Sequence, residues 1–190
     1  MTIYLFAGPN GSGKSTVIAN YISFYGLEDL EYICPDIYAY ELFAETDDIY
    51  ERYKKAMDFA KYKRERLLKE GKSMIIETVL SRSDKIDFVK RAKALNYRIV
   101  SVFVGTKSPD INCARVKNRV LEGGHDVPED KIRSRYTKSM ENISLLAECS
   151  DELYIYDNSG DHPVLGLSII DEDVFISSEA AQWVKDIIKK

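Results

Sequence analysis

Nine consecutive residues, Gly8-Pro9-Asn10-Gly11-Ser12-Gly13-Lys14-Ser15-Thr16, combine the residue types that hold a phosphate chain. Glycines let the backbone curl until successive N–H groups converge on one point, Lys14 adds a cation and Ser15 a hydroxyl within reach of a metal. The spacing Gly8-x-x-x-x-Gly13-Lys14-Ser15 is a complete Walker A pattern. The chemistry it implies is ATP–Mg²⁺ binding: amides and a helix start on the β-phosphate, Lys14 across β- and γ-oxygens, Ser15 on the metal. A chance glycine turn is the competing reading, and the strand and helix patterns on either side argue against it.

Phosphoryl transfer to an alcohol also needs a carboxylate near the attacking oxygen and cations near the moving phosphoryl group. Asp36 and Glu77 each follow a short apolar run, Tyr32-Ile33-Cys34 and Ser73-Met74-Ile75-Ile76. In a parallel sheet the carboxyl ends of strands converge on the ligand crevice. Asp36 is assigned as general base or hydroxyl aligner, and Glu77, with Thr78, to the substrate or a magnesium-bound water. The alternative for Asp36 is local, since Pro35-Asp36 would equally open a helix over 37–45. Arg115 and Arg119 lie at i and i+4, and Arg133 and Arg135 follow the Gly123-Gly124 turn. A helix–loop–helix lid over about 109–140 would carry these cations to the γ-phosphate. Ion pairs with Glu122, Glu129 or Asp130 compete for them, so only Arg119 and Arg135 are expected as charge clamps.

The elements that must position these groups follow from periodicity. Ile3–Ala7 reads as a buried strand, and Val17, Ile18, Tyr21, Ile22 and Tyr25 recur at helical spacing after the glycine turn. A long helix over 48–69 puts Tyr50, Tyr53, Met57, Ala60, Leu67 and Leu68 on one side, with Lys61, Lys63, Arg64 and Arg66 as a solvated face and Gly71 ending it. Further helices are expected from Asp84 to Leu95, from Pro109 to the Gly-Gly turn, through Arg133 and Arg135, and over 178–190 with Trp183, Val184, Ile187 and Ile188 packing. Strands are expected over 97–104 and 153–156, with a hairpin about Asp171-Glu172-Asp173. Alternating strands and helices predict an α/β three-layer sandwich with a mainly parallel sheet, a P-loop NTPase domain carrying a helical lid.

At 190 residues the chain suits one domain, and its formal net charge of −4 provides no general attraction for nucleic acid or an anionic membrane. Cys34, Cys113 and Cys149 form neither a disulfide framework nor a metal spacing with His125 and His162. A reducing, cytoplasmic setting is expected, with no apolar run long enough to span a bilayer. A GTP switch is disfavoured, because Asp157-x-x-Gly160 comes late and Thr106-Lys107-Ser108-Pro109 lacks the guanine-reading aspartate. An ABC-type motor is disfavoured too: there is no Leu-Ser-Gly-Gly signature and no acidic pair after Val104.

Taken together, the Walker A segment, the Cys34-Pro35-Asp36 corner, Ile76-Glu77-Thr78-Val79-Leu80-Ser81, Arg115-Val116-Lys117-Asn118-Arg119-Val120, Gly123-Gly124-His125-Asp126-Val127-Pro128 and Ile132-Arg133-Ser134-Arg135-Tyr136 resemble the zeta-toxin family of P-loop kinases. The resemblance covers roughly the first 150 residues in motif order. It implies an ATP-dependent kinase in which the P-loop lysine and lid arginines act on the γ-phosphate and the aspartate after the second strand activates a substrate hydroxyl. Characterised zeta toxins phosphorylate the 3′-hydroxyl of UDP-N-acetylglucosamine. Here Cys34 stands where the family's corner has asparagine, and no residue identifies an antitoxin-like partner. Kinases for a nucleoside, nucleotide or nucleic-acid end, and a non-catalytic ATP sensor, are the alternatives. His125, in the lid turn, reads as a helix cap or a phosphate contact. Tyr38, Tyr40, Tyr50 and Tyr53 fall where such kinases bind substrate, though most should be core.

Overall fold

A computed structural model describes residues 1–124 and 126–187. His125 and Ile188, both weighed from the sequence, lie outside the described residues. In chain order the strands are β1 (Thr2–Ala7), β2 (Glu31–Ile33), β3 (Met74–Thr78), β4 (Arg98–Gly105), β5 (Glu152–Asp157), β6 (Val164–Ile170) and β7 (Asp173–Ile176). The helices are α1 (Lys14–Tyr25), α2 (Pro35–Glu41), α3 (Ile49–Lys69), α4 (Asp84–Ala94), α5 (Pro109–Leu121), α6 (Glu129–Glu141), α7 (Ile143–Cys149) and α8 (Gln182–Ile187).

The strands form one sheet in the order β2-β3-β1-β4-β5-β6-β7. The first five are parallel, and β6 and β7 extend the edge antiparallel. Strand alternation separates the layers. Ile3, Leu5 and Ala7 of β1 face a core shared with α3, α4 and α7, while Phe6 joins Val17 and Ile18 of α1 on the opposite face. This is the expected three-layer P-loop sandwich. Because β1 is central, its carboxyl end opens between those of β3 and β4, and the P-loop leaves from there.

Several elements depart from expectation. In α3, Ala56, Ala60, Arg64, Leu67 and Leu68 are buried, whereas Tyr50 and Met57 are exposed. The supposed solvated face is broken by Arg64, because α4 packs across the last turns of α3. Its guanidinium lies 5.4 Å from the Phe88 ring centroid and 3.5 Å from the Asp84 carboxylate. Gly71, with φ of +66°, follows the capping residue Glu70, and the Lys72 N–H donates to Leu67 O, which closes the helix end. Helix α2 begins at Pro35 and ends at Glu41, earlier than the 37–45 expected, since Leu42 and Phe43 N–H groups both turn back to Tyr38 O. Helix α7, whose Ile143, Leu146 and Cys149 fill the core, was not anticipated. The last helix starts at Gln182 rather than 178, after a turn in which Ala180 N–H donates to Ser177 O.

Candidate phosphoryl-transfer site

The P-loop is wedged between two strands. The Gly8 N–H donates to Thr78 O at 3.2 Å, and a Cβ on Gly8, whose φ is +147°, would stand 2.1 Å from Val104 O. Gly13 adopts a left-handed conformation, φ 85° and ψ 21°, immediately before α1. Only glycine enters that conformation without a steric penalty.

Two asparagines that sequence reasoning overlooked hold the loop's shape. Asn112 of α5 donates through Nδ2 to Asn10 O at 2.6 Å while its Oδ1 accepts from the Thr106 hydroxyl. Asn158, just past β5, donates through Nδ2 to Ser12 O at 2.8 Å, and its backbone N–H donates to Gly105 O at 2.8 Å. In a planar trans peptide the C=O and the next N–H point in opposite directions. Tying the Asn10 and Ser12 carbonyls outward therefore turns the Gly11 and Gly13 N–H groups inward. The partners lie 102 and 146 residues apart in sequence, so no local pattern could reveal them.

The cradle fits an anion. Ser12 is fully buried, and its hydroxyl has no partner among the described residues. Lys14 is only 7% exposed and donates to Pro9 O at 3.0 Å. Burial pushes the Lys14 pKa down, the carboxylates of Glu77 and Asp36 pull it back up, and Arg119 adds to the lowering. A buried ammonium of this kind gains from a phosphate beside it. Ser15 and Thr16 stand exposed on the first turn of α1.

Next to Ser15 lies a cleft of about 460 Å³ bordered by Asp36, Glu77 and Arg119. Asp36 is exposed in the first turn of α2, behind the Cys34 cap, rather than at the last residue of β2. The Glu77 carboxylate accepts hydrogen bonds from the Tyr32 hydroxyl and, at 3.5 Å, from the Cys34 thiol. Burial, then the charge of Glu77, raises both donors' pKa values, the thiol to about 12, so both remain protonated at neutral pH. Thr78 serves a local turn: its hydroxyl accepts from the Leu80 N–H at 3.1 Å, and its carbonyl takes the Gly8 bond.

The lid arginines divide into two pairs. Arg119 lines the cleft, where its charge acts on Lys14, and Arg135 donates from Nη1 to Asn10 Oδ1 at 3.3 Å. Arg115 instead donates to the carbonyls of Asn158 and Gly160 at 2.8 and 3.0 Å. Arg133 is held between Asp110 and Glu129 at 2.7 and 2.8 Å. Carboxylates and carbonyls closer than the P-loop thus engage two of the four candidate cations. Helices α5 and α6 join through Val116, Val127 and Ile132, a small cluster separate from the main core.

The zeta toxin family model matches residues 2–166. The chain belongs to that family. Zeta-toxin membership accounts for the order of its motifs, with the P-loop, the Pro-Asp corner, the Glu-Thr strand end and the lid all inside the matched span. A similar curated protein is an uncharacterized protein of Haemophilus influenzae, 29% identical over 132 residues, or 69% of this chain and 89% of the relative. Among solved structures, the AvrRxo1-ORF1:-ORF2 crystal structure with ATP superposes with a TM-score of 0.76 at 16% identity, over 98% of this chain and 63% of that one. The chain therefore spans less than two thirds of that relative's length. The PezAT chromosomal toxin–antitoxin system of Streptococcus pneumoniae gives a TM-score of 0.63 at 18% identity, over 99% of this chain and 82% of that one. At these identities the two structures speak for the fold. Among the described residues no helix is long and apolar enough to cross a membrane.

Proposed function

We propose that this zeta-toxin-family chain is an ATP-dependent kinase that transfers the γ-phosphate to the hydroxyl of a small molecule. The observation that carries the reading is the cleft beside the P-loop, where Ser15, Asp36, Glu77 and Arg119 border one space. In this reading Gly8 to Thr16 hold the triphosphate through backbone amides, and Ser15 with Glu77 takes part in holding Mg²⁺. Bound there, Mg²⁺ supplies charge neutralisation to the phosphates.

Asp36 orients the acceptor hydroxyl and receives its proton as the new O–P bond forms and the β,γ-bridging P–O bond breaks. In this reading Lys14, Arg119 and Arg135 balance the negative charge that moves toward the β-phosphate during transfer. Arg115 supports the Asn158 strut and Arg133 stiffens the start of α6, roles less direct than phosphate binding. The pairing of Arg115 and Arg133 also weakens the case for a basic groove receiving a nucleic-acid end. A UDP-sugar acceptor such as UDP-N-acetylglucosamine rests on the family resemblance alone. A protein partner of antitoxin type belongs to the same reading, by kinship with the pneumococcal system. Three free cysteines suit a cytoplasmic setting.

The test is ATP consumption by the purified chain with and without UDP-N-acetylglucosamine and other hydroxylated acceptors, Asp36→Ala alongside, with mass spectrometry of the acceptor. Acceptor phosphorylation that disappears in Asp36→Ala is the expected result. ATP binding with no acceptor-stimulated turnover, unchanged in Asp36→Ala, would support a nucleotide sensor instead.

A further inference from the structure

The grip on Glu77 falls on one oxygen. The Tyr32 hydroxyl and the Cys34 thiol both donate to Oε2, the thiol at 3.5 Å. Neither bond involves Oε1.

Sheet register sets up the contact. Strands β2 and β3 run parallel, with Tyr32 opposite Ile75 and Ile33 opposite Ile76. Cys34 stays extended, with φ −132° and ψ 111°, so the next step of that register brings it beside Glu77. Side chains alternate along a strand, which puts Tyr32 and Cys34 on the same face as Ile75 and Glu77. On that face Tyr32 and Ile75 pack with Val17 and Ile18 of α1, the helix that begins in the P-loop. Glu77 is thereby tied to the elements that frame the nucleotide and not to the lid. Cys34 is also the N-cap of α2, a position where asparagine, aspartate and serine are preferred, yet its side chain makes no capping hydrogen bond. The thiol serves Glu77 instead of the helix.

Two donors on one carboxylate oxygen restrict the rotation of the group and leave the other oxygen for a ligand. Hydrogen bonds behind a metal ligand orient it, and their loss costs about 10–100-fold in metal affinity or activity. Magnesium keeps several waters and takes few carboxylate oxygens, so a carboxylate aimed through one oxygen suits it. From this arrangement we infer that Tyr32 and Cys34 are positioning residues for magnesium–nucleotide binding: by holding Oε2 they aim Oε1 of Glu77 at the metal or at a water bound to it. The inference rests on the kinase reading, which assigns Glu77 to Mg²⁺. Both residues act through Glu77.

ATP binding to the full chain would be measured by calorimetry over a range of Mg²⁺ concentrations, and again with EDTA in place of the metal. The proteins are the unmodified chain, Tyr32→Phe, Cys34→Ala and Glu77→Ala, with the first two variants each also combined with Glu77→Ala. Tyr32→Phe removes one oxygen and keeps the packed ring, and Cys34→Ala sacrifices no capping bond. Tyr32→Phe should raise the Mg²⁺ concentration for half-maximal enhancement of ATP binding by about tenfold. Cys34→Ala should raise it by a smaller factor, because a thiol is the weaker donor. Affinity in EDTA should stay within about twofold of the unmodified chain, and neither change should add to the effect of Glu77→Ala.

An unchanged Mg²⁺ dependence in Tyr32→Phe, where Glu77→Ala does shift it, overturns the inference and leaves the metal assignment standing. Full losses that persist in the Glu77→Ala background overturn it too, because the residues would then act by another route. An equal loss of affinity in EDTA does the same, since it marks a disturbed P-loop. If Glu77→Ala itself has no effect, the assignment of Glu77 to magnesium falls and this inference with it. None of these readouts depends on the acceptor, so failure of the kinase reading shows separately, as absent phosphoryl transfer.

Discussion

The amide strut from Asn158 to the P-loop makes a quantitative prediction through Gly13. An alanine Cβ at position 13 would stand 2.2 Å from Asn158 Nδ2. The left-handed backbone at φ 85° costs about 1–2 kcal/mol for a residue with a Cβ. Relieving the contact by swinging the amide away breaks its 2.8 Å bond to Ser12 O, leaving a buried carbonyl unsatisfied at about 1–3 kcal/mol. Gly13→Ala should therefore destabilise the fold by about 2–5 kcal/mol, and Asn158→Ala by the hydrogen-bond share alone, about 1–3 kcal/mol. In the double variant that bond is lost only once, so the combined effect should fall short of the sum by about 1–3 kcal/mol. Urea unfolding can be followed by the single tryptophan, Trp183, whose Nε1 donates to Asp157 beside the strut. Nucleotide titration on the same proteins should show weakened ATP binding in all three variants, because the Gly13 N–H is no longer held inward. Additivity of the single effects within about 0.5 kcal/mol would refute the reasoning, since it would mean that Gly13 and Asn158 do not share a contact.

Three other outcomes are expected. Lys14→Ala should retain the fold by circular dichroism while phosphoryl transfer falls at least about a hundredfold, the scale of losing one preorganised charge; turnover near that of the unmodified chain would remove the P-loop assignment. Arg135→Ala should lower kcat/KM by about tenfold or more, whereas Arg133→Ala should leave it within a few-fold, because only Arg135 bonds to the P-loop; equal losses would mean that α6 acts as a whole. Glu65 accepts from both Arg91 Nη atoms, at 2.6 and 3.0 Å, which holds its carboxyl below the usual 4.5. A depressed carboxylate contributes stability above its unfolded pKa and loses it as pH falls through the folded value. The pair is largely solvent-exposed, so the contribution is on the order of 1 kcal/mol or less. Glu65→Gln should accordingly flatten the acid limb of a pH–stability profile, and an unchanged limb would assign that limb to other carboxylates.

The fold was legible where pattern and burial coincide. Ile3 to Ala7, the glycine turn and the helix from Lys14 each carry their own signal, and all of them belong to the nearest neighbours in sequence. Where neighbours are distant the reading erred. Met57 has the right spacing for a core residue, but α2 and α4 cover adjoining parts of the α3 surface, so it stays exposed while Arg64 is buried beside Phe88. Helix α7 is seven residues long, too short to establish a period, and it exists because Ile143, Leu146 and Cys149 find a finished core.

The candidate site divides along the same line. A phosphate cradle needs glycines, a lysine and a hydroxyl in one continuous stretch, because the backbone itself is the ligand; the sequence alone therefore determined the P-loop, its place between strand and helix, and the kinship that follows from its companions. Which arginines face that cradle, which amides hold it open and which donors grip Glu77 depend on side chains brought together from separate elements. Arg119 and Arg133 look alike in the sequence, yet one borders the cleft and the other is taken by Asp110 and Glu129. Such competition between partners is settled by distance and burial, and only the tertiary structure supplies both.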